Sequence, residues 1–259
     1  MILDDILKAK KQEVDELKKN LCNPPELNLS ALPRPLDLAK ALKKDGIALI
    51  AETKAASPSA GVLAKVYDPA KIAREYEEAG ADAISVLTDP TYFMGSVNHL
   101  KMVKNAVLVP VLRKDFIIDE VQVYESRMIG ADAILLIARI LTPENLKKLL
   151  GTASSLGLAS LVEVTSEEEA RVALDCGAEI IGINNRDLET LVVDLGRTIS
   201  LLKQMPELKN KVVVSESGIK TRRDVIALSG SGVNAILVGE ALLRSHDIAE
   251  KIEELTVSL

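Results

Sequence analysis

The feature that most constrains this chain is one unit repeated along its length: a short apolar run, then a helical segment with marked ends. The runs are Ile47–Lys54, Ala83–Thr88, Val109–Phe116, Ala133–Arg139, Ser160–Thr165, Ile180–Arg186, Lys211–Gly218 and Ala235–Gly239. Between them, Asp68-Pro69 and Thr142-Pro143 set a capping side chain before a proline at the first helical position. Ser166 with Glu169 fits a capping box. Gly80, Gly130, Gly157 and Gly177 supply the left-handed residue that ends a helix. Gly-Ala-Asp-Ala-Ile occurs at Gly80–Ile84 and again at Gly130–Ile134, with variants at Gly177–Ile180 and Gly232–Ile236. Unbroken apolar strands alternating with helices indicate parallel strands buried on both faces. Eight of them predict an α/β fold of the (β/α)8 TIM-barrel class. The rival is an open doubly wound sheet, which often carries Gly-x-Gly-x-x-Gly after its first strand; none follows Ile47–Lys54.

Length agrees with this reading, since 259 residues is close to the size of one such barrel. Residues 1–259 are expected to form a single barrel domain, with 1–45 as an N-terminal helical extension. Leu3, Ile6, Leu7, Val14, Leu17 and Leu21 recur at helical spacing, and a short helix is predicted around Leu36–Leu42. The extension either plugs or clasps the barrel, or covers the substrate. A net charge of -6 gives no bulk basic character, so neither nucleic acid nor a membrane surface is an expected partner. No apolar run is long enough to span a bilayer. The charged N-terminus does not resemble a signal peptide, and Cys22 and Cys176 read as free thiols, which predicts a cytoplasmic protein. Either a monomer or a weak homodimer is expected.

Active sites of this barrel class lie at the C-terminal ends of the strands. Side chains alternate with a period of two, so Glu52 and Lys54 share a face and Thr53 takes the other. By the same rule Lys114 shares a face with Leu112 and Phe116, Glu163 with Leu161, Asn184 with Gly182 and Arg186, and Glu216 with Val214. Each charge alone has an ordinary reading as a solvated group or a structural ion pair. Together Glu52, Lys54, Lys114, Glu163 and Glu216 lie in phase on four strands, and closure of the barrel would gather them. Two lysines among three glutamates can drive each other's pKa values apart, as acid–base chemistry near neutral pH requires. Phe93 and Phe116 also fall at this end, either as ordinary packing or as a wall for a flat ring. Gly218 and Gly239 follow the last two strands, the corner where such barrels often hold phosphate through backbone N–H groups. Thr221–Arg223 reads as a solvated helix start. With His99 and His246 the only histidines, both in predicted helical segments away from the charged strand ends, a histidine-based triad or metal site is not expected, and no metal or cofactor is predicted.

These residues match a known pattern. IAETKAASPSAG, AISVLTDPTYFMGS, PVLRKDFIID followed by Gln122-Val123-Tyr124, GADAILLIARIL, LVEV, IIGINNRDLET, VVSESGI and AILVGEALL resemble the indole-3-glycerol-phosphate synthase family, across nearly all of 47–243. The resemblance implies a lyase of tryptophan biosynthesis. It would close and decarboxylate 1-(2-carboxyphenylamino)-1-deoxyribulose 5-phosphate, a phosphorylated aromatic amino-sugar, and then remove water. By the same resemblance, Lys114 is the general acid toward the ketone oxygen and Glu163 helps remove water. Lys54 contacts substrate and is a second candidate acid, while Glu52, Asn184 and Glu216 orient these groups. Arg186 and Ser217 are further site residues, and Pro58, Phe93 and Phe116 surround the ring. Ser57, Gly218, Gly239 and Glu240 form the phosphate corner, the last through its backbone. Thr53, Ala55, Thr165 and Leu191 depart from the family pattern without removing a matched catalytic group. Two alternatives stand beside the lyase: a phosphosugar isomerase on the same barrel, and a catalytically silent phosphate-binding scaffold.

Overall fold

A computed structural model describes residues 2–21, 27–57, 61–62, 67–187 and 190–256. Its centre is a closed barrel of eight parallel strands. They are β1 (Ala48–Thr53), β2 (Ala83–Leu87), β3 (Val111–Lys114), β4 (Ala133–Ile137), β5 (Ala159–Val164), β6 (Ile180–Asn184), β7 (Val212–Glu216) and β8 (Ala235–Val238). Closure is direct, because β1 pairs with both β2 and β8. The strands stop one or two residues short of the predicted runs. The alternation continues past the ladder, but the chain has already turned into a loop; Asp115, Phe116 and Arg186 therefore sit beyond their strands.

The two faces of the strands feed two cores. Alternate residues such as Ile50, Leu112, Leu135, Leu161, Val214 and Leu237 fill the barrel interior. The others, including Leu49, Ile84, Ile134, Val162, Ile181 and Ile236, pack under the helices. Strands buried on both faces must be apolar throughout, which explains the runs that mark them in the sequence. Thr53 faces outward, fully buried, with its hydroxyl 2.7 Å from the Tyr67 hydroxyl. That polar pair accounts for a threonine in an apolar layer.

Helix starts follow the predicted chemistry, with one correction. Asp68 accepts from Lys71 N at 3.0 Å and Thr142 from Asn145 N at 3.3 Å. Ser166 accepts from Glu169 N at 3.2 Å, but the Glu169 carboxylate bonds the Thr165 N–H and hydroxyl instead of returning to Ser166. Thr165 competes for that carboxylate, so the capping box is half made. Full boxes form at Asp119 with Gln122 and at Thr221 with Asp224. His246 lies in the turn before the last helix and not within a helix.

The repeated Gly-Ala-Asp-Ala-Ile has a structural role. Its polar residue bonds the backbone at the start of the preceding strand. Asp82 accepts from Leu49 N at 2.9 Å, Asp132 from Val111 N at 2.8 Å, and Asn234 from Val213 N at 2.8 Å.

The N-terminal extension reaches both ends of the barrel. α1 (Ile2–Asn20) lies at the C-terminal end, where Leu3 and Ile6 border the central cavity. α2 (Leu38–Ala41) puts Leu38 and Leu42 into the barrel-interior cluster, both fully buried, and stoppers the opposite end. Among the described residues no helix is long and apolar enough to cross a membrane.

Candidate active site

At the C-terminal ends of the strands the barrel opens into a cavity of about 1140 Å³. Thirteen of the predicted site residues line it: Glu52, Lys54, Phe93, Lys114, Phe116, Glu163, Asn184, Arg186, Glu216, Ser217, Gly218, Gly239 and Glu240. Ser57 ends a short ladder with Gly61–Val62, but its side chain lies outside the described atoms. Pro58 lies outside the described residues altogether.

Lys114 is the electrostatic centre. Its Nζ stands 3.1 Å from Glu163 Oε2 and 3.1 Å from Glu216 Oε2. Asn184 Nδ2 donates to the other Glu163 oxygen at 3.0 Å, which fixes that carboxylate's plane. Lys54 Nζ donates to Glu52 Oε1 at 2.5 Å. Burial disfavours the Lys114 ammonium, but the charges of Glu216, Glu163 and Glu52 outweigh it and raise its pKa, so the group stays charged. Glu216 is pushed up to about 7 by burial and by the nearby Glu163 and Glu52 charges, against the pull of Lys114. Its Oε1 is buried without a hydrogen-bond partner among the described residues. The centre therefore holds a persistent cation, an orienting carboxylate–amide pair, and a carboxyl that titrates near neutrality.

Two glycines make this crowding possible. A Cβ at Gly182 would stand 2.1 Å from Glu216 Oε1, and one at Gly239 would stand 2.6 Å from Glu52 Oε1. Neither has a positive φ, so each is needed for space. At the corner of β7, Ser217 and Gly218 take φ of +68° and +83° in succession. A serine there is strained. Asn185 supports it by donating to the Ser217 carbonyl at 3.1 Å and to Ser215 Oγ at 3.0 Å. Glu240 pairs its carboxylate with Arg244 at the surface. Arg186 donates to the Leu191 carbonyl at 3.2 Å, holding the loop after β6 against the cavity.

The aromatic side is fastened separately. Phe93 and Phe116 have ring centroids 6.3 Å apart at 40°. Phe116 is held at both backbone groups: its N–H donates to Asp115 Oδ1 at 2.8 Å, and its carbonyl accepts from Gln122 Nε2 at 3.0 Å. Phe93 ends the short helix α3 (Pro90–Phe93), capped by Asp89, which accepts from Tyr92 N at 2.7 Å.

Sequence reasoning missed Lys10, Asp115 and Asn185. Lys10 is buried at 1% exposure, with Nζ 2.8 Å from Asp115 and 3.0 Å from Asp89. The signal was present: Lys10 falls four residues after Ile6 and four before Val14, on the apolar face of α1. Thr221–Arg223 begins a helix as predicted, but Thr221 and Arg223 also border the cavity. Among the described residues, no group of three or more histidine, cysteine, aspartate and glutamate side chains is arranged to hold a metal ion.

Fold and site together are those of the (β/α)8 class, with lysines and carboxylates gathered at the C-terminal strand ends, where enzymes of this class hold their active sites. The fold is shared with thiamine phosphate pyrophosphorylase from Pyrococcus furiosus, with a TM-score of 0.60 at 20% identity over 85% of this chain and 96% of that one. It is also shared with 3-hexulose-6-phosphate synthase from Salmonella typhimurium, with a TM-score of 0.60 at 14% identity over 81% of this chain and 96% of that one. Sequence goes further. The family model for indole-3-glycerol phosphate synthase matches residues 3–255. The indole-3-glycerol phosphate synthase of Endomicrobium trichonymphae is 48% identical over 98% of this chain and 99% of its own length. That of Acetivibrio thermocellus is 48% identical over 98% of each. The chain belongs to the indole-3-glycerol phosphate synthase family.

Proposed function

We propose that this chain converts 1-(2-carboxyphenylamino)-1-deoxyribulose 5-phosphate to indole-3-glycerol phosphate, with Lys114 as the principal acid. In this reading the ring carbon bearing the carboxylate attacks the ketone carbon of the sugar chain. Lys114 donates a proton to the ketone oxygen as the new C–C bond forms. Carbon dioxide then leaves, and loss of the hydroxyl as water completes the indole. Glu163 removes the proton lost in dehydration, while Lys54 contacts substrate and assists the departing hydroxyl. Glu52, Asn184 and Glu216 orient these groups. Phosphate sits at the corner of Gly218, Gly239 and the Glu240 backbone, with Ser57 nearby, Ser217 and Arg186 beside it, and the ring against Phe93, Phe116 and Pro58.

The observation that carries the reading is Lys114 held between Glu163 and Glu216, both at 3.1 Å, on the cavity floor. A charged lysine in a mostly buried site is costly unless it is used or paired. This one is paired yet faces the cavity, so it has a proton to give and two carboxylates to keep it an ammonium. Residues 1–45 belong to the same functional unit in this reading, because α1 borders the cavity and α2 closes the barrel. The free Cys176 thiol fits a cytoplasmic setting.

The test is turnover of that substrate, followed by the rise of indole fluorescence. The wild-type protein produces it, and Glu163→Gln produces it roughly 100-fold or more slowly at unchanged circular dichroism. A folded wild-type protein that gives no indole signal overturns the function. Near wild-type turnover in Glu163→Gln overturns the role of Glu163.

A further inference from the structure

A lysine buried at 1% exposure has to be explained, because a buried ammonium is costly unless carboxylates surround it. Lys10 has three: Glu13 of its own helix at 2.6 Å, Asp115 at 2.8 Å and Asp89 at 3.0 Å. The last two come from separate barrel loops, after β3 and after β2. Each carboxylate does a second task. Asp115 accepts the Phe116 N–H at 2.8 Å through the same Oδ1 that meets Lys10. Asp89 caps the short helix that ends in Phe93, through Oδ1, and its Oδ2 forms the ion pair with the Lys10 ammonium.

Asp115 is further tied by Arg113 at 3.2 Å and by the Thr88 hydroxyl at 2.6 Å. Arg113 and Lys10 together hold its carboxyl below the usual range, against the effect of burial. The cluster is therefore charged and rigid, and its one contribution from outside the barrel is α1, through Lys10 and Glu13.

We propose that Lys10 is a positioning residue that joins the N-terminal helix to the two loops bearing Phe93 and Phe116, and so sets the spacing of the aromatic wall. It touches neither substrate nor reacting atoms. Removing its charge leaves Asp89 and Asp115 facing each other without the cation between them. The two loops then separate, and the 6.3 Å spacing of the rings is lost. Phosphate binding stands on β7 and β8, on the other side of the cavity, and does not depend on the latch. The identity of the ring's ligand rests on the function proposed above.

The experiment compares wild type with Lys10→Met using two probes. One is 2-aminobenzoate, a ring probe whose own fluorescence reports binding; the other is inorganic phosphate, read by calorimetry. Binding of 2-aminobenzoate and the KM for the full substrate both weaken roughly tenfold, while phosphate affinity is unchanged. Unchanged ring binding in folded Lys10→Met overturns the latch. Equal loss of both probes also overturns it, because that pattern is a general loosening of the barrel. If Lys10→Met does not fold, Asp89→Asn decides. Its amide oxygen can still cap the Phe93 helix while the ion pair is lost, and ring binding weakens about threefold with phosphate affinity intact. Unchanged ring binding in that variant sinks the proposal. A wild-type protein that binds the ring probe but does not turn over substrate sinks the function and leaves the latch standing.

Discussion

Glu216 is the residue whose environment makes the sharpest demand. Burial raises its carboxyl to about 7, although it touches the Lys114 ammonium. A folded-state pKa raised above the unfolded value contributes stability that is full below about pH 4.5 and is lost as pH rises through about 7. Asp115 has the opposite sign: its lowered pKa contributes above about pH 4 and is lost as pH falls. For catalysis, the state of Glu216 decides whether Lys114 faces one carboxylate or two. The pH profile of kcat/KM is therefore predicted to inflect near 7 in the wild type and to lose that inflection in Glu216→Gln. An unchanged inflection in Glu216→Gln would assign it to another group. At this scale the sequence was informative wherever strand parity applied. Glu52, Lys114, Glu163, Asn184 and Glu216 were placed by alternation alone, since a strand offers only two faces. It marked Lys10 only by its place on the apolar face of α1 and was silent on Asn185; the partners of both are set by how helices and loops dock. It also read Gly239 only as a backbone site for phosphate; that its missing Cβ makes room for Glu52 depends on the neighbouring strand.

Among the elements, the strand-entry clamps carry a separable prediction. Asp132 is buried and accepts from Val111 N at 2.8 Å, Leu36 N at 2.7 Å and Lys104 Nζ at 2.6 Å. It thus fastens β3 and the segment leading into α2 at the end of the barrel opposite the cavity. Asp132→Ala leaves these donors without their acceptor and lowers stability by about 2–4 kcal/mol. The activity per folded molecule is unchanged, because the clamp lies far from Lys114. Urea unfolding alongside turnover measures both, and a loss of kcat without a loss of stability would contradict the assignment. The repeat was visible in the sequence as a glycine, a polar turn and a strand. The acceptor role of its polar residue was not, because the amide it bonds lies on the preceding strand. Strand ends were overextended for a related reason. Side-chain alternation outlasts the ladder, and only the neighbouring strand determines where pairing stops.

At the scale of the whole molecule, the barrel brings four distant strand ends around one ammonium, and the extension serves both openings. α2 fills the lower one with Leu38 and Leu42, and α1 borders the upper one with Leu3 and Ile6. The sequence left a plug or clasp of the barrel and a cover over the substrate as alternatives for the extension; α2 takes the plug's place, and α1 reaches the cavity rim. Eight strand–helix repeats of suitable length, several with marked helix ends, made the closed fold legible, since closure leaves no strand edge exposed. In the proposed function the gathered charges act through Lys114. Single-turnover kinetics of wild type and Lys114→Met test it most directly, with 1-(2-carboxyphenylamino)-1-deoxyribulose 5-phosphate as substrate and indole fluorescence as the signal. Methionine keeps most of the length of the side chain and removes the ammonium with its proton. The chemical step is predicted to slow by roughly 100–10,000-fold, with circular dichroism and inorganic phosphate binding unchanged. A folded Lys114→Met that forms indole at near the wild-type rate would contradict the account.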